Sequence, residues 1–223
     1  EDGIRDIGVT GVQTCALPIF RVQSNGRAYR SYNFSFTEPW LGGKKRNSLT
    51  IGLNSSKYSN AIDPYTGRID RAKSDTNFLK TMGLSVSLGK QLKWPDDYFS
   101  LVYTLNFTQY KLNNYPIFDA NFRTGTSNNV SGKITLMRSS IDNPLFPKGG
   151  SSFTASVQFT PPYSLFNSNI VNSTNKYKNP EYHKWRFSGE WYVPLSKALG
   201  ADKSRQLVLK LAAKYGFMGR YNR

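Results

Sequence analysis

Apolar residues recur at every second position along most of this chain. Tyr32, Phe34 and Phe36 alternate with Asn33, Ser35 and Thr37, and Leu49, Ile51 and Leu53 alternate with Thr50, Gly52 and Asn54. The same period carries Met82, Leu84, Val86 and Leu88, then Phe99, Leu101, Tyr103, Leu105 and Phe107. It continues through Val130, Ile134 and Leu136, and through Phe153, Ala155, Val157 and Phe159. Trp185, Phe187, Trp191 and Val193 follow, and last Leu207, Leu209, Leu211, Ala213, Tyr215 and Phe217. A period of two marks a strand with one apolar face, and no segment keeps the 3.6-residue period of a helix. The pattern predicts an all-β antiparallel protein of about eight amphipathic strands, preceded by a strand stub, "FRVQSNG".

Strand length separates two kinds of sheet. Several segments extend over about ten residues or more, where globular strands usually run about five or six and tilted membrane-spanning strands need about nine to eleven. The faces opposite the apolar rows carry Lys133, Lys184, Arg186, Glu190, Lys210 and Lys214. Two arrangements accommodate them: a soluble sandwich that buries its apolar faces together, or a wide membrane barrel with charges lining a wet lumen. Trp40, Trp94, Tyr98, Phe99, Tyr163, Tyr182 and Trp185 fall at strand ends. Interfacial girdles put aromatic rings there, whereas a soluble core draws them to strand middles. The connections point the same way. Short ones ("EPWLGGKKRN", "KWPDDY", "DNPLFPKGG", "PLSKALGADKSR") alternate with longer polar ones over 59–75, 113–128 and 164–179. Short periplasmic turns against long extracellular loops is the outer-membrane pattern.

Charge and composition narrow the chemistry. A net charge of +16 and a pI near 9.9 admit nucleic acid or an anionic membrane surface as partner. Mean hydropathy is −0.52, and no stretch approaches the roughly 20 apolar residues of a transmembrane helix, which leaves a barrel as the spanning option. Cys15 is the single cysteine and His183 the single histidine, so the chain offers no disulfide framework, no Cys/His zinc set and no His-centred triad. His183, beside Tyr182 and Trp185, is expected near a strand end. Asp96 and Asp97 are adjacent, and adjacent strand or turn positions point in different directions, so a solvated turn explains them better than paired-carboxylate catalysis. No enzyme activity, metal or cofactor is expected, and no phosphate-cradling glycine loop is present in the sequence. A soluble basic β protein stacking nucleic acid on its aromatics is the competing class; strand length and loop alternation weigh against it.

The N-terminus departs from this plan. "EDGIRDIGVTGVQTCALPIF" is mildly acidic in a basic chain and holds Cys15. A signal peptide needs a basic n-region and an unbroken apolar h-region, whereas Glu1, Asp2 and Asp6 stand here and "CALPIF" is short. The segment resembles an in-frame translation of a sequencing adapter, with Glu1–Asp6 and Val9–Ile19 as fixed parts around a barcode at Ile7-Gly8. Residues 1–19 are therefore expected to be foreign, and 20–223 a partial outer-membrane barrel domain.

Two turns carry the remaining information. In "FTEPWLGG", Pro39 stops strand pairing and Gly42-Gly43 supply a flexible turn. In "RSSIDNPLFPKGGSSF", Asp142 and Asn143 can cap through their side chains, Pro144 and Pro147 fix φ, and Gly149 and Gly150 allow positive φ. With "YNFSFTEPWLGGKKRNSLTIGL", "RSSIDNPLFPKGGSSFTASVQFTPPYSLF" and "HKWRFSGEWYVPL" in that order, the chain resembles the BamA-like outer-membrane assembly proteins, bacterial surface-antigen barrels that insert other barrels. The Asp-Asn-Pro-x-x-Pro-x-x-Gly turn is the most specific element.

The resemblance implies a sixteen-stranded transmembrane barrel, of which this chain holds the end of strand three and strands four to eleven. It implies POTRA domains before Phe20, and a Val-Arg-Gly-Phe/Tyr motif on the sixth extracellular loop after Tyr221. The first and last strands, which form the lateral gate, lie outside these residues. Consequently no catalytic, cofactor, metal, gate or loop-motif residue is assigned here. The implied partners are outer-membrane lipid, unfolded barrel clients and accessory assembly lipoproteins reached through POTRA domains, and not nucleic acid. Related alternatives are a two-partner secretion transporter or autotransporter-assembly factor. A passive porin-like channel is the alternative from another class, its basic lumen then favouring anions.

Overall fold

The computed structural model describes residues 17–43, 47–60, 66–68, 70–115, 122–166, 178–195 and 207–221. Nine strands form one sheet: β1 (Leu17–Asn25), β2 (Tyr29–Glu38), β3 (Asn47–Ser59), β4 (Phe78–Gln91), β5 (Phe99–Asn113), β6 (Gly125–Ser139), β7 (Gly150–Phe159), β8 (His183–Pro194) and β9 (Val208–Gly219). Each strand pairs antiparallel with its neighbour in sequence, and β1 and β9 stand at the two edges, so the sheet is open. The eight predicted strands and the stub are these nine. Strands β5 and β6 reach 15 residues each. Strand β1 starts at Leu17, and Leu17, Pro18 and Ile19 pair with Thr37, Phe36 and Ser35. Pairing thus runs into the segment that the sequence sets apart.

Register turns the alternation along each strand into two continuous faces. Phe20, Phe34, Leu53, Leu84, Phe107 and Val130 stand in one row across β1 to β6. Ile134, Val157, Trp185 and Phe217 form a second row across β6 to β9. A one-residue slip would carry a strand's whole apolar set to the other face. That other face is small and polar. Asn33, Asn54, Gly83, Thr108 and Asn129 make one of its rows, and a Cβ on Gly83 would collide with the Asn54 carboxamide.

The long-short alternation of connections holds through the middle of the sheet and weakens at its ends. The β3–β4 and β7–β8 connections (60–77 and 160–182) are long beside β4–β5 (92–98) and β6–β7 (140–149). The β5–β6 connection is shorter than the sequence suggested, because β6 starts at Gly125, and β1–β2 is a tight turn over 26–28 at the long-loop end. The end of β3 and the β3–β4 connection clamp that turn. Ser59 Oγ donates to the Arg27 carbonyl at 2.8 Å and Ser74 Oγ reaches it at 3.5 Å. Ser74 belongs to a short helix, α1 (Arg71–Thr76), whose N-cap Asp70 accepts from the Ala72 and Lys73 amides. A second short helix, α2 (Tyr163–Phe166), lies in the β7–β8 connection.

The β6–β7 turn is built by side chains, as its sequence predicts. Asp142 Oδ1 accepts the amides of Asn143, Lys148 and Gly149 at 2.9, 3.0 and 3.3 Å. Asn143 Oδ1 accepts those of Leu145 and Phe146 at 2.9 and 3.3 Å. The glycines divide differently from expectation. Gly150 has φ 105°, and Gly149 is not in the positive-φ region. A Cβ on Gly150 would run into the Ser140 carbonyl, while one on Gly149 meets nothing within 4 Å. Gly150→Ala should therefore destabilise the protein by more than about 1 kcal/mol, and Gly149→Ala much less; urea unfolding of both variants in lipid checks the contrast.

The same turn carries a pH dependence. Backbone amides, that of Lys148 foremost, hold the Asp142 carboxyl below its ordinary value. A depressed carboxylate stabilises the turn above the unfolded-state value of about pH 4, and that contribution is lost as pH falls through the lower folded value. Amide exchange at Lys148 and Gly149 should accelerate relative to the intrinsic rate across that acidic window. Asp142→Ala should remove the pH step.

Candidate membrane interface

Burial in this sheet is inverted relative to a water-soluble protein. Among the described residues, the buried polar set is Ser31, Ser59, Ser74, Ser127, Ser131, Ser156 and Thr160, and the buried apolar set is only Ala28, Leu112 and Phe122. The large apolar side chains face outward: Leu105 is 70% exposed, Phe20 67% and Trp191 62%. Burying such a side chain is worth about 1.5–3 kcal/mol, and a soluble fold would not leave whole rows of them uncovered. No second sheet covers them among the described residues. Hydrocarbon is the solvent in which this face is stable and in which a paired strand backbone is needed.

Aromatic residues rim the apolar face at both ends. Trp40, Trp94, Tyr98 and Phe99 lie at or beside the short turns, with Trp94 83% exposed. Trp185 lies near the long-loop end of β8, with Phe217 as its cross-strand partner on β9. Two of the aromatic residues near strand ends do not join this rim. Tyr163 sits in α2. The Tyr182 hydroxyl accepts from Gln158 Nε2 at 3.1 Å and Asn129 Nδ2 at 3.3 Å, which ties the β7–β8 connection to the polar face.

The titratable residues singled out in the sequence have structural partners. His183 opens β8, accepts from Trp185 Nε1 at 3.2 Å, and packs against Phe217 and Tyr221 at 5.6 and 5.5 Å between ring centroids. It is the strand-end residue expected. Asp96 Oδ2 accepts from Arg138 Nε and Nη2 at 3.2 and 3.1 Å, and Asp96 Oδ1 from the Tyr98 amide at 2.9 Å. The backbone carbonyl of Asp97 accepts from Gln91 Nε2. Arg138 Nη1 reaches Ser140 and Ser151 at 3.1 and 3.2 Å, so this arginine joins the β4–β5 and β6–β7 turns. Among the described residues, no three of His, Cys, Asp and Glu group as a metal site would require.

The polar face divides into two halves. Lys133, Lys184, Arg186, Glu190, Lys210 and Lys214 all lie on it, as predicted, and all belong to β6, β8 and β9. Glu190 ties in Lys210 at 3.1 Å and accepts from the Tyr192 hydroxyl at 3.1 Å. On β2 to β5 the same face carries Ser, Thr, Asn and Gly in its middle rows.

Sequence reasoning missed a second set of charges. Arg30, Lys57, Lys80 and Lys111 stand on the apolar face, in one row at its long-loop end. The signal was available: Arg30 is two residues before Tyr32 and Lys80 two before Met82, and Lys57 and Lys111 are four beyond Leu53 and Phe107.

An open next-neighbour sheet of long strands, apolar on one face and polar on the other, with aromatic rims and inverted burial, is a segment of a transmembrane β-barrel. Comparison with known proteins makes this specific. The model of the Omp85 superfamily domain matches residues 19–222, and the chain belongs to that superfamily. Among solved structures it is similar to BamA from Haemophilus ducreyi lacking POTRA domains 1–3, with a TM-score of 0.58 at 18% identity over 87% of this chain. The aligned part is 34% of that structure's chain, so the present chain spans about a third of it. A search of curated protein sequences returns no match. The protein is an integral β-barrel protein of the bacterial outer membrane.

Proposed function

We propose that the protein carrying this chain folds and inserts other β-barrel proteins into the outer membrane. The observation that supports this reading is the Omp85 match over a sheet whose apolar face is turned to lipid. An incoming strand cannot satisfy its backbone groups in hydrocarbon, so a barrel with a weakly closed seam offers it an edge to pair with. In this reading the seam and the POTRA domains lie in other parts of the protein. The clients are unfolded barrel proteins, and accessory lipoproteins dock through the POTRA domains. We also propose that residues 1–19 do not come from the native barrel, although Leu17, Pro18 and Ile19 extend the pairing of β1 with β2.

The test is reconstitution of the full-length protein into phosphatidylcholine vesicles with a urea-unfolded eight-stranded barrel as client. The fraction folded is followed by heat-modifiable gel mobility. Folding about tenfold faster than in empty vesicles is expected. An unchanged rate would overturn the assembly role, and passage of an unfolded polypeptide into the vesicle lumen would favour the secretion-transporter relative instead.

A further inference from the structure

Arg30, Lys57, Lys80 and Lys111 are each the direct cross-strand partner of the next, on β2, β3, β4 and β5. Like charges directly opposite one another destabilise a sheet, and this row sets three such pairs side by side. Among the described residues little offsets them. Asp75 lies 3.6 Å from Lys57, and it is shared with Arg27 at 3.7 Å. Among the described residues, no carboxylate is within ion-pair distance of Arg30, Lys80 or Lys111.

The row also has a shape. The four side chains, with Tyr32, Ser55 and Phe78, line a groove of about 460 Å³. Lys57 Nζ lies 4.9 Å from the centroid of the Phe78 ring. Next to it, towards the middle of the sheet, Phe34, Leu53, Met82, Leu84 and Phe107 line an apolar groove of about 410 Å³. The two grooves share Tyr32 and Ser55. Six residues along each strand separate the basic row from the Ile51–Val86–Leu105 row in the middle of the apolar belt, roughly 20 Å of tilted strand. That is where the apolar band of a membrane barrel gives way to headgroups.

We propose that this surface is a binding site for a multiply phosphorylated membrane lipid, with phosphates on the basic row and an acyl chain in the apolar groove beneath. Three inter-strand spacings make the row roughly 14 Å wide, more than one monophosphate needs and enough for a headgroup with two. The phosphates supply the countercharge that the described residues do not. Lysines on a barrel's outer surface are costly at the bilayer midplane and nearly free at the interface, which is where this row stands. Because long loops face the cell exterior, the site belongs to the outer leaflet. The inference rests on the apolar face contacting lipid.

The test uses the full-length protein in a neutral detergent, titrated with lipid A and with its chemically dephosphorylated form. Lipid A should bind about tenfold more tightly or better, and the preference should shrink as salt is raised. Lys80→Gln combined with Lys111→Gln should remove most of the preference, while Lys133→Gln combined with Lys184→Gln, on the polar face, should keep it. Equal affinity of the unsubstituted protein for the two lipid forms would overturn the site, whatever the variants do. Displacement of lipid A by an equal concentration of inorganic pyrophosphate would also overturn it, in favour of a free-phosphate site. Quenching of Trp185 and Trp191 by brominated phosphatidylcholine reports the lipid-facing reading separately, so quenching without phosphate preference would reject the site alone.

Discussion

Leu105→Arg is expected to destabilise the protein in a bilayer by about 2–4 kcal/mol, while Thr108→Arg on the opposite face of the same strand changes stability by less than about 1 kcal/mol. Leu105 stands in the middle of the apolar belt, between Val86 and Gly132, and is 70% exposed on the sheet. In hydrocarbon a guanidinium there has no water and no partner. Thr108 faces the lumen with Gly83 and Asn129 as cross-strand neighbours, so a longer polar side chain finds room and water. A soluble protein would respond differently. A leucine exposed to this degree could take an arginine within about 0.5 kcal/mol. Urea unfolding of the full-length protein in phosphatidylcholine vesicles, followed by tryptophan fluorescence, decides between the two; equal costs at both positions would reject the lipid-facing assignment.

Expressed by itself, this chain should sediment or require detergent. Strands β1 and β9 each pair on one side only within the sheet, and every backbone group left unpaired in hydrocarbon costs several kcal/mol. Edges of this length, alternating with exposed rings such as Phe20, Tyr215 and Phe217, are templates for edge-to-edge association. Size-exclusion chromatography with and without detergent measures the outcome. A detergent-free monomer that unfolds cooperatively in urea would reject an open membrane sheet. The same physics explains why the family closes its strands into a barrel, which leaves no exposed edge for lipid to strand.

What could be learned from the sequence was what is local along a strand. Side chains alternate between faces because of the pleat, so the polar–apolar pattern of Phe99 to Phe107 was enough to place β5 and its lipid-facing side. The nine strands, the strand-end position of His183 and the Asp142–Asn143 cap were legible for the same reason, since each depends on residues close in sequence. The division of φ between Gly149 and Gly150 was not, because either glycine permits it and only the closed turn shows that Gly150 adopts it.

Tertiary structure decided everything that depends on which residues stand side by side. Arg138 meets Asp96 only because β5 and β6 bring two turns together, and Tyr182 leaves the rim because Gln158 and Asn129 offer it partners. The row of Arg30, Lys57, Lys80 and Lys111 is the clearest case. Parity assigns each residue to the apolar face, but only the cross-strand register lines the four up over one groove. The pleat is set residue by residue by backbone sterics, whereas register is set by pairing between segments distant in the chain.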